Sequence, residues 1–230
     1  MTETNLRVAV VGGHGKIALQ LTRLLTERGD AVTALIRNPD HESEVRSAGA
    51  TPEMADVEAM SAEEVAELFT GHQAVVFAAG AGGGDPDRTY AVDRDAAIAC
   101  ADAARTSGAS RFVLLSYFGA GPDHGVPSDS SFFPYAEAKA AADEYLRGSP
   151  GLSWTIVGPS ALTDDEGTGT IDTSAQEAGQ VSRADVAATI AAVLRDDRTS
   201  GRTICFNDGD TPIAEAIARA AENGTASADG

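Results

Sequence analysis

Short β-branched apolar runs alternate with longer amphipathic segments along this chain, which is the pattern of a parallel sheet with crossover helices. The pattern predicts strands at LRVAVV (6–11), AVTALIR (31–37), ATPEM (50–54), AVVFAA (74–79), RFVLLS (111–116), WTIVG (154–158) and TICFN (203–207). Helices are predicted over 16–28, 61–69, about 88–106, 135–147 and 182–194. Ser61 caps the second of these, with Glu64 three residues on completing a capping box. Thr211 and Pro212 suit the cap and first position of a last helix.

No repeat, linker or low-complexity segment divides the pattern, so residues 1–223 are expected to form one α/β domain, with 224–230 a disordered tail. Two connections are longer than usual, 117–134 and 159–181. Both leave the carboxyl ends of strands, where open α/β sheets bind ligands, and they are the expected substrate loops.

At 230 residues the chain can bury a full core unaided. Its formal charge of −18 repels phosphate backbones and anionic lipid heads, so no nucleic-acid or membrane partner is expected. The opening MTETNLRVAVVGG has no basic segment followed by a long apolar core, and no apolar run of spanning length occurs, which implies a cytoplasmic protein. Cys100 and Cys205 belong to no CxxC pair and are read as reduced thiols. His14, His41, His72 and His124 lack ligand spacing, so no metal is expected. The expected partner is a small-molecule substrate. Alanine-rich helices suit either a monomer or a homodimer.

VVGGHGKIA follows the first strand and opens a helix, the context a dinucleotide fingerprint requires. Gly13-x-Gly15-x-x-Ala18 matches the general form and Gly12-x-x-Gly15-x-x-Ala18 the short-chain dehydrogenase variant. In either register small residues let the backbone approach a pyrophosphate at the helix N-terminus, so Gly12, Gly13, His14, Gly15, Lys16 and Ile17 are candidate cofactor contacts. A Walker A loop is excluded, because Ile17 follows Lys16 and Val10 stands at its first glycine position. Arg37 closes the second strand, where a carboxylate would take a ribose 2′-hydroxyl and a cation a 2′-phosphate; it favours NADP(H) over NAD(H).

Of the 17 basic residues only Lys16 and Lys139 are lysines. With four tyrosines in the chain, a chance Tyr-x-x-x-Lys arises in roughly a few per cent of such sequences. Tyr135 and Lys139 form one, in PYAEAKAAADEYL, and four residues on a helix place both on one face. A cation there would lower the phenol's pKa toward working pH.

VVGGHGKIA, ALIRNPD, the AD of EMADVEAM, VVFAAGAG, RFVLLSYFGA, PYAEAKAAADEYL, WTIVGPSALTDDEGTG and VSRADVA together resemble the atypical short-chain dehydrogenase/reductase superfamily, especially its small NmrA-like NAD(P)H-binding members. The resemblance implies a Rossmann-like doubly wound parallel sheet in 3-2-1-4-5-6-7 order with a minimal C-terminal substrate region. It implies that Asp56 and Val57 lie by the adenine, that Ala78, Ala79 and Gly80 run past the adjacent ribose, and that Pro159, Ser160 and Leu162 meet the nicotinamide. Tyr135, Lys139 and Ser116 are then the catalytic candidates, Tyr135 protonating a carbonyl oxygen as hydride arrives.

Two departures from the family pattern stand out. Tyr117 occupies the usual serine position and Ser116 precedes it, which turns that side chain to the other face; Tyr117, Ser128, Ser130 or Ser131 are alternative hydroxyls. Gly158 replaces a common arginine, leaving the pocket one cation poorer. The leading expectation is an NADPH-dependent reductase of a small carbonyl, quinone or flavin-like acceptor. A non-catalytic NADP(H)-binding redox sensor is the alternative, and a sugar-nucleotide epimerase or dehydratase a third reading.

Overall fold

Val8 and Val10 pack to one side of the first strand and Ala9 and Val11 to the other, so the strand is buried on both faces. That is the signature of a parallel sheet covered by helices on each side. The structure, a computed structural model, describes residues 5–82 and 84–223; the tail expected at 224–230 lies outside the described residues.

In chain order the elements are β1 (Arg7–Val11), α1 (Lys16–Glu27), β2 (Ala31–Ile36), α2 (Glu42–Ser47), β3 (Thr51–Met54), α3 (Ala62–Phe69), β4 (Ala74–Phe77), α4 (Pro86–Thr89), α5 (Ala97–Ser107), β5 (Arg111–Leu115) and α6 (Phe133–Arg147). They continue with β6 (Ser153–Pro159), β7 (Ala161–Thr163), β8 (Thr170–Asp172), β9 (Gln180–Ser182), α7 (Arg183–Val193), β10 (Arg202–Asp208), β11 (Thr211–Pro212) and α8 (Ile213–Asn223). A π-helical stretch, Tyr90–Ala96, joins α4 to α5.

The main sheet runs β3-β2-β1-β4-β5-β6-β10 with every pairing parallel, and β8 and β11 extend it antiparallel beyond β10. The expected 3-2-1-4-5-6-7 order is therefore present, with β10 as the seventh strand. One core, between the sheet and α1, α2, α7 and α8, contains Leu21, Leu25, Val45, Ile190 and Ile217. The other, between the sheet and α3, α5 and α6, contains Phe69, Phe77, Cys100, Phe112 and Leu146. Cys100 is buried, Cys205 is half-buried, and both are free thiols. Among the described residues no helix is long and apolar enough to cross a membrane.

The capping box at Ser61 forms as expected: Ser61 Oγ accepts from Glu64 N, and Glu64 Oε2 accepts from Ser61 N. Three expectations differ. Segment 159–181 is a substructure, because β7 pairs with β9 and β8 joins the main sheet. Thr211 and Pro212 do not start the last helix; they pair with Ile171 and Thr170 as an edge strand, where a proline's missing N–H costs nothing, and α8 begins at Ile213. The short helix α2, which buries only Val45, was not anticipated.

Candidate active site

The turn after β1 separates two kinds of glycine. Gly12 has φ +78°, and a Cβ there would lie 2.6 Å from Ala79 Cα; a Cβ on Gly13 would lie 2.6 Å from Ala34 Cβ. Packing of the β1 end against β4 and β2 demands both. Gly15 is under no such demand: its φ is −59°, and its Cβ would meet nothing closer than Gly12 O at 3.3 Å. It stands at the start of α1, which has no side-chain cap and no acid in its first turn. The N–H groups and positive dipole end of that turn are left for an anion, and glycine keeps the approach open. A pyrophosphate fits this cradle.

Two clefts meet at the glycine turn and share Gly15, Ala78, Ala79 and Gly80. The first, of about 320 Å³, is lined by Gly12, His14, Arg37, Asp56 and Val57 among others. On its rim Arg37 Nη1 donates to Glu58 Oε1 at 2.6 Å. His14 Nε2 lies 2.7 Å from Glu44 Oε2, and its ring stacks on His41 at 3.5 Å between centroids.

The second cleft, of about 420 Å³, is lined by Lys16, Ile17, Asp93, Tyr135, Lys139, Leu162 and Arg183 among others. The Tyr135–Lys139 spacing thus delivers both side chains to one space at the start of α6. Lys139 is buried at 2 % exposure, with Nζ 3.7 Å from Asp93 Oδ1 and 5.9 Å from the centre of the Tyr135 ring. Burial lowers the Lys139 pKa, opposed by the charges of Asp93 and Asp143. Tyr135 differs from the expectation of an acid made stronger by its lysine. Burial raises its pKa, and Asp93, Tyr117 and Asp143 add to the rise.

Tyr117 and Phe132 pack on Tyr135 with centroids 5.6 and 5.2 Å away, and 5.4 Å from each other. The Tyr117 hydroxyl is buried with no hydrogen bond among the described residues. Ser116 turns away from the cleft and donates from Oγ to Asp143 Oδ2 at 2.9 Å. Burial pushes Asp143 up to about 6, against the bond from Ser116 and the charges of Lys139 and Arg147. Pro159 ends β6, and Ser160 is buried with its hydroxyl on Asn207. The alternatives Ser128, Ser130 and Ser131 lie in the connection ahead of α6, where Ser130 Oγ accepts from Phe132 N.

Gly158 has a packing reason: a Cβ there would come within 2.9 Å of Cys205 Sγ and 3.0 Å of Tyr117 O. Arg183 is a cation that lines the second cleft. Asp164 ties Arg183, at 2.8 Å, to Lys16, at 2.6 Å, and so joins the start of α1 to the chain beyond β7. Asp93, Asp143, Glu58 and Arg183 are the polar groups that the sequence reading missed. Asp143 was within reach, four residues after Lys139 on one helix; Asp93 comes from the π-helical stretch and Glu58 from the turn after β3, and neither carries a local signal.

A doubly wound sheet with a glycine cradle at its first crossover defines a dinucleotide-binding class. The chain belongs to the NAD(P)H-binding family, whose model matches residues 12–197. It is 36% identical over 216 residues to the Bacillus subtilis (strain 168) protein named "Uncharacterized sugar epimerase YhfK", covering 92% of this chain and 99% of that one. A solved structure from Bacillus halodurans is 33% identical with TM-score 0.85, covering 94% of this chain and all of the other. The "oxidoreductase ylbE" from Lactococcus lactis is 29% identical with TM-score 0.84, covering 94% and 97%. The resemblance to small atypical short-chain dehydrogenase/reductases holds on the fold, the strand order and this family membership.

Proposed function

We propose that the protein is an NADPH-dependent reductase that passes hydride to a small carbonyl, quinone or flavin-like acceptor. One observation carries the reading: an uncapped helix start and a Tyr-Lys pair open onto two clefts that share Gly15, Ala78, Ala79 and Gly80. In this reading Gly12, Gly13, His14, Gly15, Lys16 and Ile17 form the pyrophosphate cradle, and Arg37 receives a 2′-phosphate. Asp56 and Val57 flank the adenine, residues 78–80 border the adjacent ribose, and Pro159, Ser160 and Leu162 stand on the nicotinamide side. Bound there, the cofactor supplies the hydride.

Tyr135 donates its hydroxyl proton to the acceptor oxygen as that oxygen gains charge, and Lys139 stabilises the phenolate left behind. Asp93 and Asp143 oppose the burial that lowers the Lys139 pKa. The Tyr117 and Phe132 rings pack on Tyr135, and Ile17 and Leu162 add apolar side chains to a cleft that Lys16, Asp93, Lys139 and Arg183 also line. The name of the Lactococcus lactis protein supports an oxidoreductase. The test is loss of NADPH absorbance against a panel of aldehydes, ketones, quinones and flavins, with NADH in parallel. Turnover of none of them removes the reading.

A second reading, isomerisation of a sugar nucleotide, is favoured by the name of the Bacillus subtilis relative. It requires conversion of a nucleotide sugar without net consumption of NADPH, which chromatography of the reaction mixture distinguishes from reduction.

A further inference from the structure

We infer that Glu58 sets the balance between the two nicotinamide dinucleotides by competing with a 2′-phosphate for Arg37. The inference rests on the reading that such a dinucleotide occupies the first cleft. The sequence places no carboxylate at the end of β2, which taken alone favours the phosphorylated cofactor. The fold brings one in from elsewhere. Ala55 N donates to Ile36 O, and Ala59 N to Asp56 O, so the turn after β3 closes back along the end of β2. That turn sets Glu58 Oε1 2.6 Å from Arg37 Nη1, and both residues line the cleft.

The carboxylate is the more enclosed partner, its side chain 24% exposed against 50% for Arg37. Its charge therefore acts on the cleft with less screening. The other charged groups on this rim leave the balance close. His14 is engaged by Glu44, Asp56 adds a negative charge, and Arg88 directs Nη1 to Ala81 O. A ribose hydroxyl can donate to the Glu58 carboxylate while Arg37 keeps its partner. A phosphomonoester must share Arg37 with that carboxylate and bear its repulsion. Arg37 supplies the attraction for NADPH, and Glu58 holds that preference down.

The experiment measures dissociation constants for NADPH and NADH at low salt, by calorimetry, with wild type, Glu58→Gln, Arg37→Ala and the double variant. Glu58→Gln is expected to bind NADPH about tenfold more tightly, the effect of one like charge removed at short range. NADH affinity is expected to stay level or weaken, since the variant loses only a hydroxyl acceptor. The NADPH gain should shrink in the Arg37→Ala background, because the freed guanidinium is part of it. The pair lies on the rim of the cleft and neither side chain is fully buried, so Glu58→Gln should keep its unfolding midpoint, which checks the fold independently of dinucleotide binding. An NADPH constant within about twofold of wild type, or equal shifts for both dinucleotides, overturns the inference and leaves the reductase reading standing. A wild type that binds neither dinucleotide overturns both.

Discussion

The Lys139 ammonium lies 3.7 Å from a carboxylate oxygen of Asp93 and 5.9 Å from the centre of the Tyr135 ring. The cation is thus anchored first to the acid and reaches the phenol from that anchor. Lys139 and Asp93 are both almost fully buried, at 2% and 1% exposure, so neither charge has water to fall back on. The electrostatics of the candidate site begin from this pair.

Tyr135→Phe should separate acceptors by chemistry. With carbonyl acceptors the rate should fall by about 10²- to 10⁴-fold, the usual worth of a positioned acid. Quinones and flavins, which take hydride without a protein proton, should be reduced at nearly the wild-type rate. Because the Tyr135 pKa is raised, loss of the phenol's proton should not limit carbonyl reduction below the ordinary phenol value of about 10. Steady-state NADPH oxidation across pH checks both outcomes.

Removing both members of the buried pair should cost less than the sum of removing each alone. Asp93→Ala withdraws the nearest counter-charge of Lys139 and the acceptor of Ala81 N, a loss of about 3 kcal/mol in unfolding free energy. Lys139→Met leaves Asp93 without its nearest cation, while Asp143 keeps Arg147, and should cost a similar amount. The Asp93→Ala, Lys139→Met double variant should be more stable than the sum of its singles by about 1–3 kcal/mol. Urea unfolding of the four proteins gives the coupling directly.

Asp143 makes stability depend on pH with a definite sign. Its folded pKa, about 6, lies above the ordinary 3.8, so the folded state binds the proton more tightly than the unfolded chain. The stabilisation from protonating it is complete below about pH 4 and is lost as pH rises through about 6, with a full span of about 2–3 kcal/mol. Asp143→Asn keeps an acceptor for Ser116 and carries no charge. It should match wild type near pH 4 and exceed it at pH 8. Denaturation curves at four or five pH values check the difference.

The glycines of the β1 turn should divide in the same way as their surroundings. Gly13→Ala forces a methyl to 2.6 Å from Ala34 Cβ and should lower stability by about 1–3 kcal/mol. Gly15→Ala meets nothing closer than the Gly12 carbonyl oxygen at 3.3 Å, so the fold should hold while dinucleotide affinity drops about tenfold or more. Thermal unfolding and calorimetric titration of the two variants separate the effects.

What could be read in the sequence follows from how far each determinant reaches along the chain. The seven parallel strands were legible to within a residue or two, because the central ones are short apolar runs buried on both faces, while β3 at the edge is largely exposed. The three-residue strands β7, β8 and β9 were not, since so few positions show no period; long-range pairing alone creates them. Helix α2 is exposed apart from Val45 and has no stripe to detect. The Tyr135–Lys139 pair was legible because one helix fixes its geometry. Its electrostatics were not: the expected fall in the phenol's pKa became a rise once burial and the acid from the π-helical stretch entered. The same limit applied at Arg37, whose partner Glu58 arrives from the turn after the neighbouring strand.

The widened turns at Tyr90–Ala96 put a length requirement on this helix as well as a compositional one. A π-helical turn holds more residues than an α-helical one, so deleting a single residue there would restore a regular ladder. It would also rotate the side chains within the stretch about the axis, because the regular ladder advances about 100° per residue and the wider turns advance less. Asp93 sits in the middle of that stretch, and such a rotation would carry its carboxylate off the Lys139 ammonium. A related chain with an unbroken helix at this place would have to recruit its counter-ion from another element, so a one-residue gap in an alignment there marks a rewired site.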